Sequence, residues 1–277
     1  MKEDNITKEL QKKELDILKS FINVCDKIGV NYFLIGGTLI GAVRHNGFIP
    51  WDDDIDVCML RDDYEKFLAE GQKFLNNNYF LQTYNTDKDY PVCFAKIRDS
   101  ETTFVESSLN LYDINHGIYI DIFPLDSYHK INKCKERLLN YSLLSRLLKK
   151  EKKVTRKLTL FISNVVYGRK SKLELCNLKE NMYKSYVTDK TDLVTNYCGA
   201  WGIKKETHRK CCFDNYKVVK FEGVNVKIPI GFDEILKNTY GDYMKLPPKE
   251  KQISHHYSDI IDTKKSYKKY LKSKGDK

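Results

Sequence analysis

Apolar residues change their period several times along the first 130 positions, and each change marks an element. From Asp4 to Lys27, Ile6, Leu10, Leu15, Leu18, Ile22 and Val24 recur mostly at helical spacing, and Gly29 ends the run. That predicts a leading helix. Tyr32 to Ile35 is a short aromatic and branched run halted by Gly36-Gly37, the pattern of a buried strand entering a tight turn. Thr38 is placed to cap a helix through about Arg44, and Gly47 with Pro50 predicts a loop. A strand over Ile55–Met59 and a helix over Asp62–Phe74 follow. Further strands are expected over Tyr79–Tyr84, Val92–Ile97, Thr102–Glu106 and Ile118–Phe123, the last stopping at Pro124, with Asp126 a simple turn residue. Strands mixed with helices predict an α/β (α+β) fold, a mixed sheet flanked by helices.

From about His129 to Val187 there is no Pro, the sole Gly is Gly168, and Leu is abundant, so this second region reads as mainly helical. A strand pair over Tyr216–Phe221 and Val224–Ile228 around Glu222-Gly223, a helix over Phe232–Tyr240 and a rigid Leu246-Pro247-Pro248 loop complete the pattern. Three parts result: a mixed-sheet core over 1–128, a helical region over 129–195, and a carboxy-terminal region over 196–277.

Charge changes this picture. The net charge is +10, yet residues 130–174 alone hold 14 Lys/Arg against three acids, and the tail from Thr263 to Lys277 holds seven Lys against Asp276. What remains is acidic, 27 basic residues against 34 acids. An acidic body with two basic attachments argues against nucleic acid as partner and for a local anionic contact. The longest weakly polar stretch, Ile28 to Val43, covers 16 residues and holds a Gly-Gly pair, short of the roughly 18–20 a spanning helix needs. The amino terminus lacks the apolar core of a secretory signal, so a cytoplasmic location is expected. Eight cysteines then read as free thiols, and Cys198, His208, Cys211 and Cys212 lack the paired knuckles of a zinc site.

The chemistry concentrates in YFLIGGTLIGAVRHNGFIPWDDDIDVCML, residues 32–60. In a strand, Asp54 and Asp56 project to one side while Ile55 and Val57 turn inward. Two carboxylates ~7 Å apart on one face repel unless a cation lies between them, and hard oxygen donors select magnesium or manganese. Asp52 and Asp53 are equally explained as an acidic turn. Asp121, within IYIDIFPLD, completes a three-carboxylate metal site if its strand neighbours Ile55–Met59. Gly36-Gly37 at a helix start lets backbone amides approach a phosphate, although two glycines for close packing explain it as well. Neither a Rossmann nor a Walker spacing is present.

The order strand, Gly-Gly, helix, Asp-x-Asp strand and single-Asp strand resembles the nucleotidyltransferase fold. More closely, GGTLIGAVRHNGFIPWDDDIDV, FAKIRDSETTFVE (94–106), GIYIDIFPLD (117–126) and YGDYMKLPPKEKQISHH (240–256) resemble the LicD family, which includes the fukutin-like proteins. That resemblance implies a metal-dependent transfer of a phospho-alcohol, typically phosphocholine, from a CDP-alcohol donor to a sugar hydroxyl of a cell-surface glycan precursor, with release of CMP. It implies Asp54 and Asp56 as metal ligands for Mg2+ or Mn2+, and Asp121 as third ligand or general base. Donor contacts would come from Gly36, Gly37, Thr38, Arg44, Lys96 and Arg98. Lys96 and Arg98 can equally pair with the acidic cluster. Trp51, flanking the cluster with His45, is a stacking surface or a core residue, and His255 and His256 are donor contacts or a surface pair. Transfer of ribitol- or glycerol-phosphate, nucleotidyl transfer, and a non-catalytic scaffold of glycan assembly are the alternatives.

Between Leu144 and Val166, Leu147, Leu148, Val154, Leu158, Phe161, Ile162 and Val165 recur every three to four residues while Lys149, Lys150, Lys152, Lys153, Arg156 and Lys157 fall mainly elsewhere. A basic amphipathic segment over 144–170 fits an anionic membrane surface carrying a lipid-linked acceptor. A packed helix with a solvated basic face is the alternative.

Overall fold

The computed structural model describes residues 2–147, 157–184, 191–253 and 258–275. Six strands precede the helical region: β1 (Phe33–Leu34), β2 (Asp56–Leu60), β3 (Tyr79–Gln82), β4 (Ala95–Asp99), β5 (Thr103–Glu106) and β6 (Ile118–Ser127). Five of them form a mixed sheet in the order β1-β2-β6-β4-β3, in which β2 and β6 run parallel and the other neighbours antiparallel. The leading helix α1 (Lys2–Ile28) packs on it through Ile17, Leu18, Phe21 and Val24, all buried, and Phe21 meets Tyr32 and Phe67 edge-on at 5.1 and 5.2 Å. The short helix α2 (Gly36–Arg44) joins β1 to the Asp-rich loop, and α3 (Arg61–Glu70) follows β2 and buries Tyr64 and Phe67. The mixed α/β architecture is the one the hydrophobic pattern predicts.

Among the boundaries that differ from the sequence reading, two have identifiable reasons. Strand β4 starts at Ala95 rather than Val92, where its antiparallel register with Ile122 begins. Strand β6 does not stop at Pro124 but runs on to Ser127. Asp121 donates its amide toward β2, to the Ile55 carbonyl at 2.9 Å, so the missing amide of Pro124 faces the opposite side, beyond the last β4 pairing. Asp126 is therefore a buried strand residue, not a turn residue. Arg61 grips it with two hydrogen bonds of 2.7 and 2.6 Å and also reaches Glu180 at 3.1 Å.

That grip ties on the helical region. Helices α4 (Lys133–Leu147), α5 (Lys157–Tyr167) and α6 (Lys172–Tyr183) share a small core of Leu139, Leu143, Tyr167, Leu175 and Cys176, closed by Tyr84 of the body. A capping box starts α6: Ser171 Oγ accepts from the Glu174 amide at 3.2 Å and Glu174 accepts from the Ser171 amide at 2.6 Å.

The remaining chain rejoins the main core. Strands β7 (Leu193–Thr195) and β8 (Thr207–Arg209) extend the sheet from the end of β6. The predicted hairpin forms from β9 (Tyr216–Phe221) and β10 (Val224–Pro229), with Glu222 at φ 48° and Gly223 at φ 78°, the two positive φ values a two-residue type I′ turn requires. Its Phe221 packs on Phe48 at 4.8 Å, and Phe213 on Phe33 at 5.4 Å. Helix α7 (Phe232–Tyr240) packs on α2, strand β11 (Ser258–Asp262) pairs with β5, and α8 (Tyr267–Gly275) follows. No helix among the described residues is long and apolar enough to cross a membrane.

Candidate active site

Parallel pairing of β2 with β6 sets Asp56 directly opposite Asp121, and antiparallel pairing of β6 with β4 sets Asp121 opposite Lys96. Residues in register share a sheet face, so one row crosses three strands as Asp56, Asp121, Lys96. Lys96 Nζ lies 2.8 Å from Asp121 and 3.2 Å from Glu106 on β5, over the Tyr119 ring at 3.4 Å from its centroid. Two residues along β4, Arg98 is fully buried. It donates to Gln82 at 2.5 Å, to the Gly117 carbonyl at 2.8 Å and to Glu106 at 2.6 Å. Both cations are ion-paired in the structure, Lys96 with Asp121 and Glu106, and Arg98 with Glu106.

The Asp-rich loop closes over the end of this row. Asp52, Asp53 and Asp54 bring one oxygen each within 4.8 Å of one another, the one such grouping of metal-ligating side chains among the described residues. The strand begins only at Asp56, whose amide donates to Thr38 Oγ1 at 2.9 Å. Thr38 thus positions Asp56 and is not the helix cap; α2 begins two residues earlier, at Gly36. The glycines make room for carboxylates. A Cβ on Gly36, itself at φ +62°, would lie 2.8 Å from Asp56 Oδ2, and one on Gly37 would lie 2.5 Å from Asp52 Oδ2. The amino-terminal end of α2, expected to face a phosphate, is where the protein's own acids sit, a favourable place for negative charge.

Burial first, then Asp54 and Asp121, pushes the Asp56 carboxyl well above its ordinary range, with Lys96 opposing. A further carboxylate comes from α1: Glu14 is 2% exposed, its Oε2 has no hydrogen-bond partner, and burial followed by Asp54, Asp53 and Asp52 raises its carboxyl strongly. The next turn of α1 touches the loop through Gln11, which donates to the Asp52 carbonyl at 2.8 Å.

Of the other expected contacts, Arg44 turns to the carboxy-terminal region and donates to the Tyr243 carbonyl at 2.6 Å, with His45 at 3.4 Å. Trp51 is half-buried against the main core. His255 and His256 lie outside the described residues. Cys198, His208, Cys211 and Cys212 do not gather: Cys198 Sγ contacts the Cys93 carbonyl at 3.8 Å, Cys211 is exposed and Cys212 packs on Gly231. All eight cysteines are free thiols.

Residues 29–138, which hold this row and loop, match the LicD/FKTN/FKRP nucleotidyltransferase domain family. Over 262 residues, 88% of this chain and 94% of the relative, the sequence is 32% identical to the lipopolysaccharide cholinephosphotransferase LicD of Haemophilus influenzae. The chain belongs to the LicD family. Shorter similarities reach an uncharacterized protein of Rickettsia prowazekii, 26% identical over 40% of this chain and 44% of that one. They also reach the human ribitol 5-phosphate transferase FKRP, 45% identical over 42 residues, 15% of this chain and 8% of that one.

The LicD-like blocks single out Asp54, Asp56 and Asp121; Glu106 and Tyr240 lie at the ends of such blocks without being picked out, and Glu14 lies outside them. Glu14 had a local signal, since it occupies the i+4 position between Leu10 and Leu18, both buried. Tyr240, at the end of α7, is half-buried, its hydroxyl raised by burial and then by Asp56, and it meets Trp201 edge-on at 5.1 Å. Its place near Asp56 has no local sequence signal. The donor set suits a divalent ion: only oxygens, one of them orphaned on Glu14, with carboxylates outnumbering Lys96 and Arg98.

Proposed function

We propose that this LicD-family protein transfers a phospho-alcohol, phosphocholine foremost, from a CDP-activated donor to a sugar hydroxyl of a cell-surface glycan precursor, releasing CMP. The observation carrying this reading is the register of Asp56 with Asp121 and Lys96, in a chain similar over nearly its whole length to a cholinephosphotransferase. Asp54 and Asp56, with Asp121 beside them, would hold Mg2+ or Mn2+, which when bound supplies charge neutralisation to the donor diphosphate. Thr38 and the Gly36-Gly37 turn keep Asp56 in place for that task.

In the transfer, the acceptor hydroxyl oxygen bonds to the phosphorus carrying the alcohol, and the bond from that phosphorus to the bridging oxygen of CMP breaks. The hydroxyl proton passes to the Asp121 carboxylate, which Lys96 orients from 2.8 Å. Arg98 and Glu106 hold Lys96 and so set the position of Asp121. Similarity to FKRP supports a second reading with the same chemistry, in which the alcohol is ribitol or another polyol.

A panel of CDP-choline, CDP-ribitol and CDP-glycerol with Mg2+ or Mn2+ tests both. Metal-dependent CMP release from CDP-choline in preference to the others is expected, and preference for a CDP-polyol would move the assignment to the second reading. Pyrophosphate release, or a nucleotide left on the acceptor, would overturn both in favour of nucleotidyl transfer.

A further inference from the structure

Helix α5 is built inside out. Ser163 is fully buried and donates to the Leu138 carbonyl at 3.1 Å, and Tyr167 packs in the small helical core, so these polar and amphipathic positions form the face turned to α4. On the opposite side Phe161, Ile162, Val165 and Val166 are 66, 41, 70 and 53% exposed. Positions i, i+1, i+4 and i+5 fall on one helical face, so these four make a continuous apolar strip rather than scattered surface residues. The packed-helix alternative requires those side chains to be covered, and they are not. Around the strip the sequence is strongly cationic: Arg169 and Lys170 follow it directly, and residues 130–174 hold 14 Lys/Arg against three acids.

An exposed apolar strip within a basic stretch of sequence matches one chemistry, an anionic lipid surface whose headgroups take the charges while its acyl boundary takes the strip. We infer that α5 seats the protein peripherally on an anionic bilayer. A second copy of the chain fits less well, because a self-association through this face would set like charges against each other. The inference stands on α5 alone, whichever alcohol the site transfers.

Vesicle flotation of the full chain tests it, with phosphatidylglycerol–phosphatidylcholine vesicles against phosphatidylcholine alone. Co-flotation with the anionic vesicles only, weakened by high salt and reduced about tenfold or more in Phe161→Gln/Val165→Gln, is the expected result. Both positions are exposed, so the variant should keep the circular dichroism and melting midpoint of the parent. Absence of flotation, or flotation unchanged in the double variant, would overturn the inference. So would a dimer in sedimentation equilibrium that the double variant abolishes without any vesicle binding, which would assign the strip to self-association.

Discussion

The body and the helical region treat charge in opposite ways. In the body, charge is buried and largely paired, as in the row Asp56, Asp121, Lys96 with Glu106 and Arg98 behind it, and the sheet's strands bury their apolar side chains. In the helical region α5 buries a serine and displays Phe161 and Val165, next to Arg169 in solvent. Buried charge is costly unless something needs it, so the body's carboxylates point to chemistry performed there. Exposed apolar surface in a cationic stretch of the chain points instead to contact with another phase. The net charge of +10 averages two regions with different tasks and describes neither.

The largest expected effect would break the body's half of this contrast. Asp56→Asn keeps the shape but removes the charge, and CMP release from the preferred donor should fall about a thousandfold. Folding should not suffer, because burial and the neighbouring Asp54 and Asp121 already disfavour that charge, so the melting midpoint should hold or rise. Activity within tenfold of the parent would show that the row is structural. Next comes Asp126→Ala, which leaves Arg61 buried with half its partners gone. A loss of about 3 kcal/mol in urea denaturation is expected, with the released Arg61–Glu180 grip loosening α6 first in hydrogen exchange.

Acid should separate the regions at smaller cost. Burial lowers His208 on β8 to about 4, with Glu234 opposing only in part. Between that value and the ordinary histidine value near 6.5 the unfolded chain binds the proton and the folded chain does not. Stability is therefore complete above about pH 6.5 and declines as pH falls toward 4, by about 2 to 3 kcal/mol at most. His208→Gln should flatten the pH dependence of the denaturation midpoint over that window, and an unchanged slope would place the acid sensitivity elsewhere.

Much of the body was legible because period and composition report burial directly. The run IYIDIFPL is apolar on both faces except at Asp121, and a central strand with one functional interruption is what it forms. The Gly-Gly and Asp-x-Asp spacing similarly marked the site. What sequence did not disclose are partnerships across long separations. Asp126 looks like a turn residue until Arg61, 65 positions away, is placed beside it, and Arg98 looks like a ligand contact until Gln82, Gly117 and Glu106 take its donors. Periodicity found the apolar stripe of α5 but carries no information on which side meets a neighbour. That side is chosen by α4, whose Leu138 carbonyl takes the Ser163 hydroxyl.

The smallest effect is expected where the residues are most apolar. Replacing a buried Leu139 with Ala should cost about 2 to 4 kcal/mol, because its methyl groups leave a filled core and the site collapses incompletely. Phe161→Gln/Val165→Gln, a larger chemical change on the neighbouring helix, should change the unfolding free energy in urea by less than about 0.5 kcal/mol, since neither side chain loses a packed environment. Equal costs would mean that α5 folds its strip inward in solution, as the helical region does with Leu139. Unequal costs mean that Phe161 and Val165 contribute little to the fold, and that their exposure serves what the helix touches.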